Sequence, residues 1–191
     1  MEHYGRRGGD WLGTIEPPRD EPSLELDTRR RIYERVHSMP GIHFRALQRE
    51  LNIALGTLEY NLYRLEKEGL LVTREGGNRK AYFVKEGMDR RDRDVLAHLR
   101  QRAPRQVLTL IVDRPGITFT ELREGLFLHA SRLSTVMQRL REAGITEEER
   151  VGRHTAYRCI EGDRVRKLLV NYRESFLDEL VDRFAETWMD L

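Results

Sequence analysis

Apolar positions along the chain fall into a succession of short periodic runs. In "TRRRIYERVHS", Ile32 and Val36, with Met39 just beyond, recur at helical spacing behind Asp27, a favoured N-cap residue type. Pro40-Gly41 ends that run. "HFRALQREL" then places Phe44, Leu47 and Leu51 on one helical face. After the break "NIAL", "GTLEYNLYRLEKEG" aligns Leu58, Leu62 and Leu65 and stops at Gly69. The period changes next. "LLVTREGGNRKAYFV" reads as two short strands about a Gly-Gly-Asn turn. "EGMDRRDRDVLAHLRQRA" predicts a connecting helix through Val95, Leu96 and Leu99, and Pro104 stands where N1 of a following helix is expected.

The same order then returns about 75 residues on. "RQVLTLIVDRPGI" repeats the first helix, "TFTELREGL" the second and "SRLSTVMQRLREAG" the third. "ITEEERVGRHTAYRCI" repeats the hairpin. A gapless overlay shares about a dozen identities over some fifty positions, among them Pro40/Pro115, Gly41/Gly116, Leu47/Leu122, Leu58/Leu133, Gly69/Gly144 and Tyr82/Tyr157. Most are core or turn positions, which a shared fold demands; Arg64/Arg139 is a charged exception. The tail, "DRVRKLLVNYRESFLDELVDRFAETWMDL", predicts one long amphipathic helix. Its stripe holds Val165, Leu168, Leu169, Tyr172, Phe176, Leu180, Phe184 and Trp188. That stripe is too wide for a coiled-coil seam and suits covering the second repeat, a second copy of the chain, or both.

The predicted architecture is mainly α with small β-hairpins. Residues 1–23 are rich in Gly, Pro and charge without a period and read as a flexible arm. Residues 24–88 form a first unit, 89–103 a connecting helix, 104–162 a second unit and 163–191 the terminal helix. Three short helices followed by a hairpin is the winged helix-turn-helix pattern, here two in tandem, whose third helix can enter a DNA major groove while the hairpin lies on the backbone. If Leu58, Leu62 and Leu65 face inward, Thr57, Tyr60, Arg64 and Lys67 face out, with Asn61, Glu59 and Tyr63 on the flanks. Arginine suits guanine, and Tyr60 or Thr57 suits a thymine methyl or a phosphate. Arg74, Asn78, Arg79 and Lys80 give the first hairpin a basic tip, and Gly76 and Gly77 let it turn tightly. In the second unit Arg132, Thr135, Gln138 and Arg139 are the outward set, with Arg153 and His154 on the hairpin. Glu147, Glu148 and Glu149 precede them and would repel phosphate, so the first unit is expected to be the stronger DNA binder.

Composition sharpens this only locally. Residues 28–88 carry a net charge of about +5, residues 104–162 about +1, and the ends are acidic. A single cysteine, Cys159, cannot staple the fold and fits a reducing compartment. The N-terminal stretch lacks a signal-peptide core, and the apolar run "VLTLIV" is too short to cross a bilayer, so a cytoplasmic protein is expected. There is no Gly-rich phosphate loop, metal-spaced His pair or nucleophile elbow, which argues against an enzyme. His129, His154 and Cys159 match no standard ligand spacing, so no metal or cofactor is expected.

"GTLEYNLYRLEKEGLLVTREGGNRKAYFV" is similar to the helix-three-plus-wing signature of archaeal transcription regulators with tandem winged helix-turn-helix units, in the broad MarR/ArsR-like group. "PRQVLTLIVDRPGITFTEL" and "LLVNYRESFLDELVDRF" resemble that group's second unit and terminal helix, so the resemblance spans Thr28 to Leu191. Asn61 stands where the family often has His, and the acidic second hairpin is a departure. The resemblance implies a sequence-specific regulator of double-stranded DNA that acts as a homodimer, with Leu169, Tyr172, Phe176, Leu180, Phe184 and Trp188 as its candidate interface. The rival expectation is a tandem winged-helix module that assembles proteins and binds no DNA.

Overall fold

The computed structural model describes residues 22–76 and 79–176. Within them the chain runs α1 (Pro22–Ser38), β1 (Ile42–His43), α2 (Phe44–Leu51), α3 (Leu55–Lys67), β2 (Leu71–Gly76) and β3 (Arg79–Val84). After α4 (Arg90–Leu99) the order returns as α5 (Arg102–Asp113), β4 (Ile117–Thr118), α6 (Phe119–Leu126), α7 (Ala130–Glu142), β5 (Thr146–Val151) and β6 (His154–Cys159). Helix α8 (Gly162–Asn171) follows. The mixture of helices and two small antiparallel sheets agrees with the expected class.

Each sheet has a third strand that periodicity could not reveal, because it is two residues long. The orders are β1-β3-β2 and β4-β6-β5. Ile42 sits opposite Tyr82 and Leu71 opposite Val84. Ile117 sits opposite Tyr157 and Thr146 opposite Cys159, the same ladder with every partner moved by 75 positions. Backbone geometry repeats with it. Gly41 (φ 81) and Gly116 (φ 92) turn the chain from helix into the short strand, where only glycine is free of Cβ strain. Their N–H groups donate to Tyr82 O at 2.8 Å and Tyr157 O at 3.0 Å. The turn between second and third helices enters the left-handed region at Asn52 (φ 50) and Phe127 (φ 51).

Helix boundaries differ from expectation at three places. Helix α1 starts at Pro22, so Asp27 lies inside it rather than capping it; residues 1–21 of the expected arm lie outside the described residues. Gln101 is the N-cap of α5, which puts Pro104 at N3, still in the turn where a missing N–H breaks no helical bond. The terminal helix ends at Asn171 and gives way to a tight turn over Arg173–Ser175. The Ser175 hydroxyl donates to Tyr172 O at 2.6 Å and accepts from Arg100 Nη1 at 2.6 Å, which holds this turn in place of a continuous helix through Phe176.

Two cores support the repeats. Ile32, Val36, Leu47, Leu58, Leu62 and Leu65 close the first, with Tyr82 from one face of β3. Ala81 and Phe83, on the opposite face of that strand, enter the second core together with Val95, Leu96 and Leu99 of α4. Five consecutive residues of α4, Val95 to Leu99, are buried. This helix therefore packs on both sides and joins the repeats. Each fully buried leucine contributes roughly 1.5–3 kcal/mol of transfer free energy, so the two of α4, with Val95 between the repeats, make it a structural centre.

Candidate nucleic-acid interface

Helix α3 stands on Leu58, Leu62 and Leu65, each at most 2% exposed. That anchoring leaves the opposite face uncovered. Lys67 and Tyr63 are exposed, and Thr57, Tyr60 and Arg64 are half-buried with their side of the helix open. Lys67 Nζ lies 5.9 Å from the centre of the Tyr63 ring, a cation–π contact. Arg64 pairs with Glu68 one turn later, Nη2 to Oε1 at 3.2 Å, and Glu68 also meets Arg29 at 3.4 Å.

Asn61 is a correction. It is 1% exposed, its Nδ2 donates to Thr57 O at 2.8 Å, and its Oδ1 has no hydrogen-bond partner. It lies on the core side of α3, not on the outward face. The repeat held the signal: the position 75 further on is Val136, an apolar residue 6% exposed.

The first hairpin presents Arg79 and Lys80 to solvent; Asn78 lies outside the described residues. Arg74 does not join them. Its Nε lies 3.0 Å from Asp94 Oδ1 on α4, and its Nη1 donates to Thr73 O at 2.7 Å, so its charge is already neutralised within the fold. Gly76 serves a different purpose from the expected turn. It is buried, a Cβ there would land on the Ala97 carbonyl, and Gln101 Nε2 donates to the Gly76 carbonyl. The hairpin base is thereby pressed against α4, which fixes where Arg79 can point.

On α7, Arg132, Thr135 and Gln138 are exposed and Arg139 is half-buried, above Leu133, Val136, Met137 and Leu140. Thr135 Oγ1 donates to Ser131 O and Gln138 Nε2 to Glu142, so both hydroxyl and amide are locally satisfied. Arg153 and His154 are exposed at the second hairpin, where Gly152 (φ 62) makes the turn. Two of the three carboxylates expected to repel phosphate are compensated: Glu148 by Arg141 at 3.1 Å and Glu149 by Arg158 at 2.9 Å. Arg132, Thr135 and Arg139 line one cleft together with Arg79 of the first hairpin, and with Arg100 and Arg102, which sequence reasoning passed over.

Three of the residues expected at a dimer interface are satisfied within the chain. Leu169 is fully buried, Phe176 is 7% exposed and Tyr172 is half-buried. Arg100 lies over the Tyr172 and Phe176 rings at 5.7 and 5.1 Å. Leu180, Phe184 and Trp188 lie outside the described residues. Among the described residues no group of three His, Cys, Asp or Glu side chains could hold a metal, and no helix is long and apolar enough to cross a membrane. Burial pushes the Cys159 thiol up to about 12, which leaves it a poor nucleophile or ligand at neutral pH.

Comparison with known proteins bears on the first repeat most directly. The profile of a family described as an N-terminal HTH domain matches residues 26–96. A Methanocaldococcus jannaschii protein described as an uncharacterized HTH-type transcriptional regulator is 29% identical over 138 residues, 72% of this chain. The chain spans about a third of that relative's length, since the match covers 34% of it. A crystal structure of the endosomal ESCRT-II complex aligns over 80% of this chain and 72% of that one, with 17% identity and a TM-score of 0.32, too weak a likeness to bear on fold or function.

Proposed function

We propose that the protein is a cytoplasmic, sequence-specific double-stranded DNA-binding transcription regulator of the MarR/ArsR-like kind, with two winged helix-turn-helix units in tandem. The observation that carries the reading is α3: a helix seated on three buried leucines, with Tyr63 and Lys67 exposed and Tyr60 and Arg64 open on one face, inside a matched helix-turn-helix domain. Such a helix can enter a major groove while Arg79 and Lys80 meet the adjacent backbone. The relative's description as an HTH-type transcriptional regulator supports the same reading. Action as a homodimer belongs to the proposal.

The test is a mobility-shift titration over a salt series. Arg64→Ala should relax sequence preference and cost about 1–3 kcal/mol at one base position. Arg79→Ala should weaken all duplexes alike and make the salt dependence shallower. Unchanged binding in both variants would defeat the assignment.

A further inference from the structure

Five arginines gather where the repeats meet, with no carboxylate among them. A cleft of about 400 Å³ is lined by Arg79 from the first hairpin, Arg100 and Arg102 from the α4–α5 junction, and Arg132, Thr135 and Arg139 from α7. Several arginines elsewhere in the fold are matched to acids. Arg35 pairs with Glu50, Arg74 with Asp94, Arg91 with Glu161, and Arg164 with Asp89, Asp92 and Glu161. Among the described residues the side chains of Arg79, Arg102, Arg132 and Arg139 make neither an ion pair nor a hydrogen bond. Arg100 is held by neutral groups only: Nε donates to Pro40 O at 2.8 Å and Nη1 to Ser175 Oγ at 2.6 Å. Guanidinium groups that line one cleft without a carboxylate favour an anion there.

The cleft is also built from anchored parts. Gly76 against Ala97 and Gln101 on the Gly76 carbonyl hold the hairpin wall. Arg91 of α4 donates to the Ala143 and Gly144 carbonyls just past α7 and holds the other wall. Its shape narrows the ligand class. Arg79, Arg102, Arg132 and Thr135 are exposed, so the cleft is an open, cationic trough, unlike the mostly apolar enclosure that suits a neutral small molecule. Guanidinium forks match phosphate oxygens in geometry and charge. A duplex supplies a continuous line of such phosphates.

We propose that this cleft seats the phosphodiester backbone of the duplex that α3 reads, so that the first hairpin and α7 grip it from opposite walls. The inference rests on the DNA-binding reading and changes the part played by the second repeat. Its third helix supplies phosphate contacts next to the first repeat's hairpin, and the two repeats bind one duplex as a single surface.

The test uses the full chain, a fluorescent operator duplex and an unrelated duplex, with anisotropy read over a salt series. Arg132→Gln and Arg139→Gln are measured singly and together, with Arg90→Gln, outside the cleft, as the control for net charge. The double variant should weaken both duplexes by the same factor, about tenfold or more near physiological salt, and the log–log salt slope should fall by about 0.9 for each lost phosphate contact. Arg90→Gln should leave the slope unchanged, and a preserved thermal midpoint should show that the variants are folded. If the wild type binds duplex and the double variant keeps its slope, the cleft assignment is overturned while the regulator reading stands. If the wild type binds no duplex, the regulator reading falls and takes the cleft assignment with it. Tight binding of inorganic tripolyphosphate that Arg132→Gln removes, with duplex binding unmoved, would make the cleft a site for a free polyanion and overturn the proposal.

Discussion

The two repeats share a backbone plan and differ in what covers their sheets. In the first, Val72 and Phe83 turn the outer sheet face toward α4 and Gly76 lets that helix come close. In the second, the positions 75 further on are Glu147, Arg158 and Val151, all exposed. One hairpin is docked and the other projects. The third helices differ in the opposite sense. Arg64 is tied to Glu68, whereas Arg139 faces Ala143 at the matching place and has no carboxylate partner among the described residues. So the repeat with the more basic sequence pairs its helix arginine with an acid at the surface, and the repeat with the acidic hairpin leaves Arg132 and Arg139 unpaired among the described residues. Net charge of a segment is a poor guide to available charge, because ion pairs within the fold decide what remains for a ligand.

Gly76→Ala should break the comparison most strongly. A Cβ pressed on the Ala97 carbonyl should cost about 1–3 kcal/mol, while Val151→Ala at the matching site should stay within about 0.5 kcal/mol. Urea unfolding measures both; equal effects would show that the first hairpin is not docked in solution.

Ala143→Glu tests the difference between the helices. It gives Arg139 the acid that Arg64 already has and should weaken duplex binding about threefold to tenfold, roughly 0.7–1.4 kcal/mol. Glu68→Ala should shift binding the other way by a smaller factor, read in the same anisotropy titration. No change in either would separate arginine pairing from DNA affinity.

Phe127→Asn concerns the helix-turn-helix turn itself. Phe127 is 95% exposed and held at φ 51, where Asn52 of the first repeat sits at little cost. Copying Asn into the second repeat should stabilise the protein by about 0.5–1 kcal/mol, seen as a raised thermal midpoint. A lowered midpoint would mean that the exposed ring makes contacts in the intact protein.

The gentlest prediction is a pH dependence from α4. His98 is 6% exposed, and burial lowers its pKa from the ordinary 6.5. Just below 6.5 the unfolded chain therefore binds a proton that the folded chain refuses. Stability should be intact above that value and fall as pH drops toward the lowered one. His98→Gln should flatten the denaturation midpoint over that window; an unaltered slope would assign the dependence to His43, whose pKa burial also lowers, and not to the carboxylates Asp89 and Glu161. Those are held below the usual carboxylate range chiefly by hydrogen bonds from Arg164 and Arg91 respectively, and lose their contribution only at more acid pH.

Much of the candidate site was legible. The leucine rows predicted α3 and α7 to within a residue or two, and the outward set Thr57, Tyr60, Arg64 and Lys67 follows directly from them. Asn61 was misplaced because a polar side chain at a core position looks like a flank until Val136 is laid beside it. Arg74 looks free in the sequence because Asp94 lies twenty residues away, beyond the reach of any local pattern. The stripe at Leu169, Tyr172 and Phe176 is apolar in the sequence, but which surface it covers depends on Arg100 and Ser175 meeting across the fold.

By itself the amino-acid order determined the repeat, its offset, the helix faces and the glycine turns. Each of these is set by side-chain periodicity and backbone preference within a few residues. Only the tertiary structure decided which hairpin is docked, which arginines are neutralised and which gather in one cleft. Those outcomes depend on distances between groups far apart in the chain, and Coulomb energy and desolvation respond to distance in space rather than to separation in sequence.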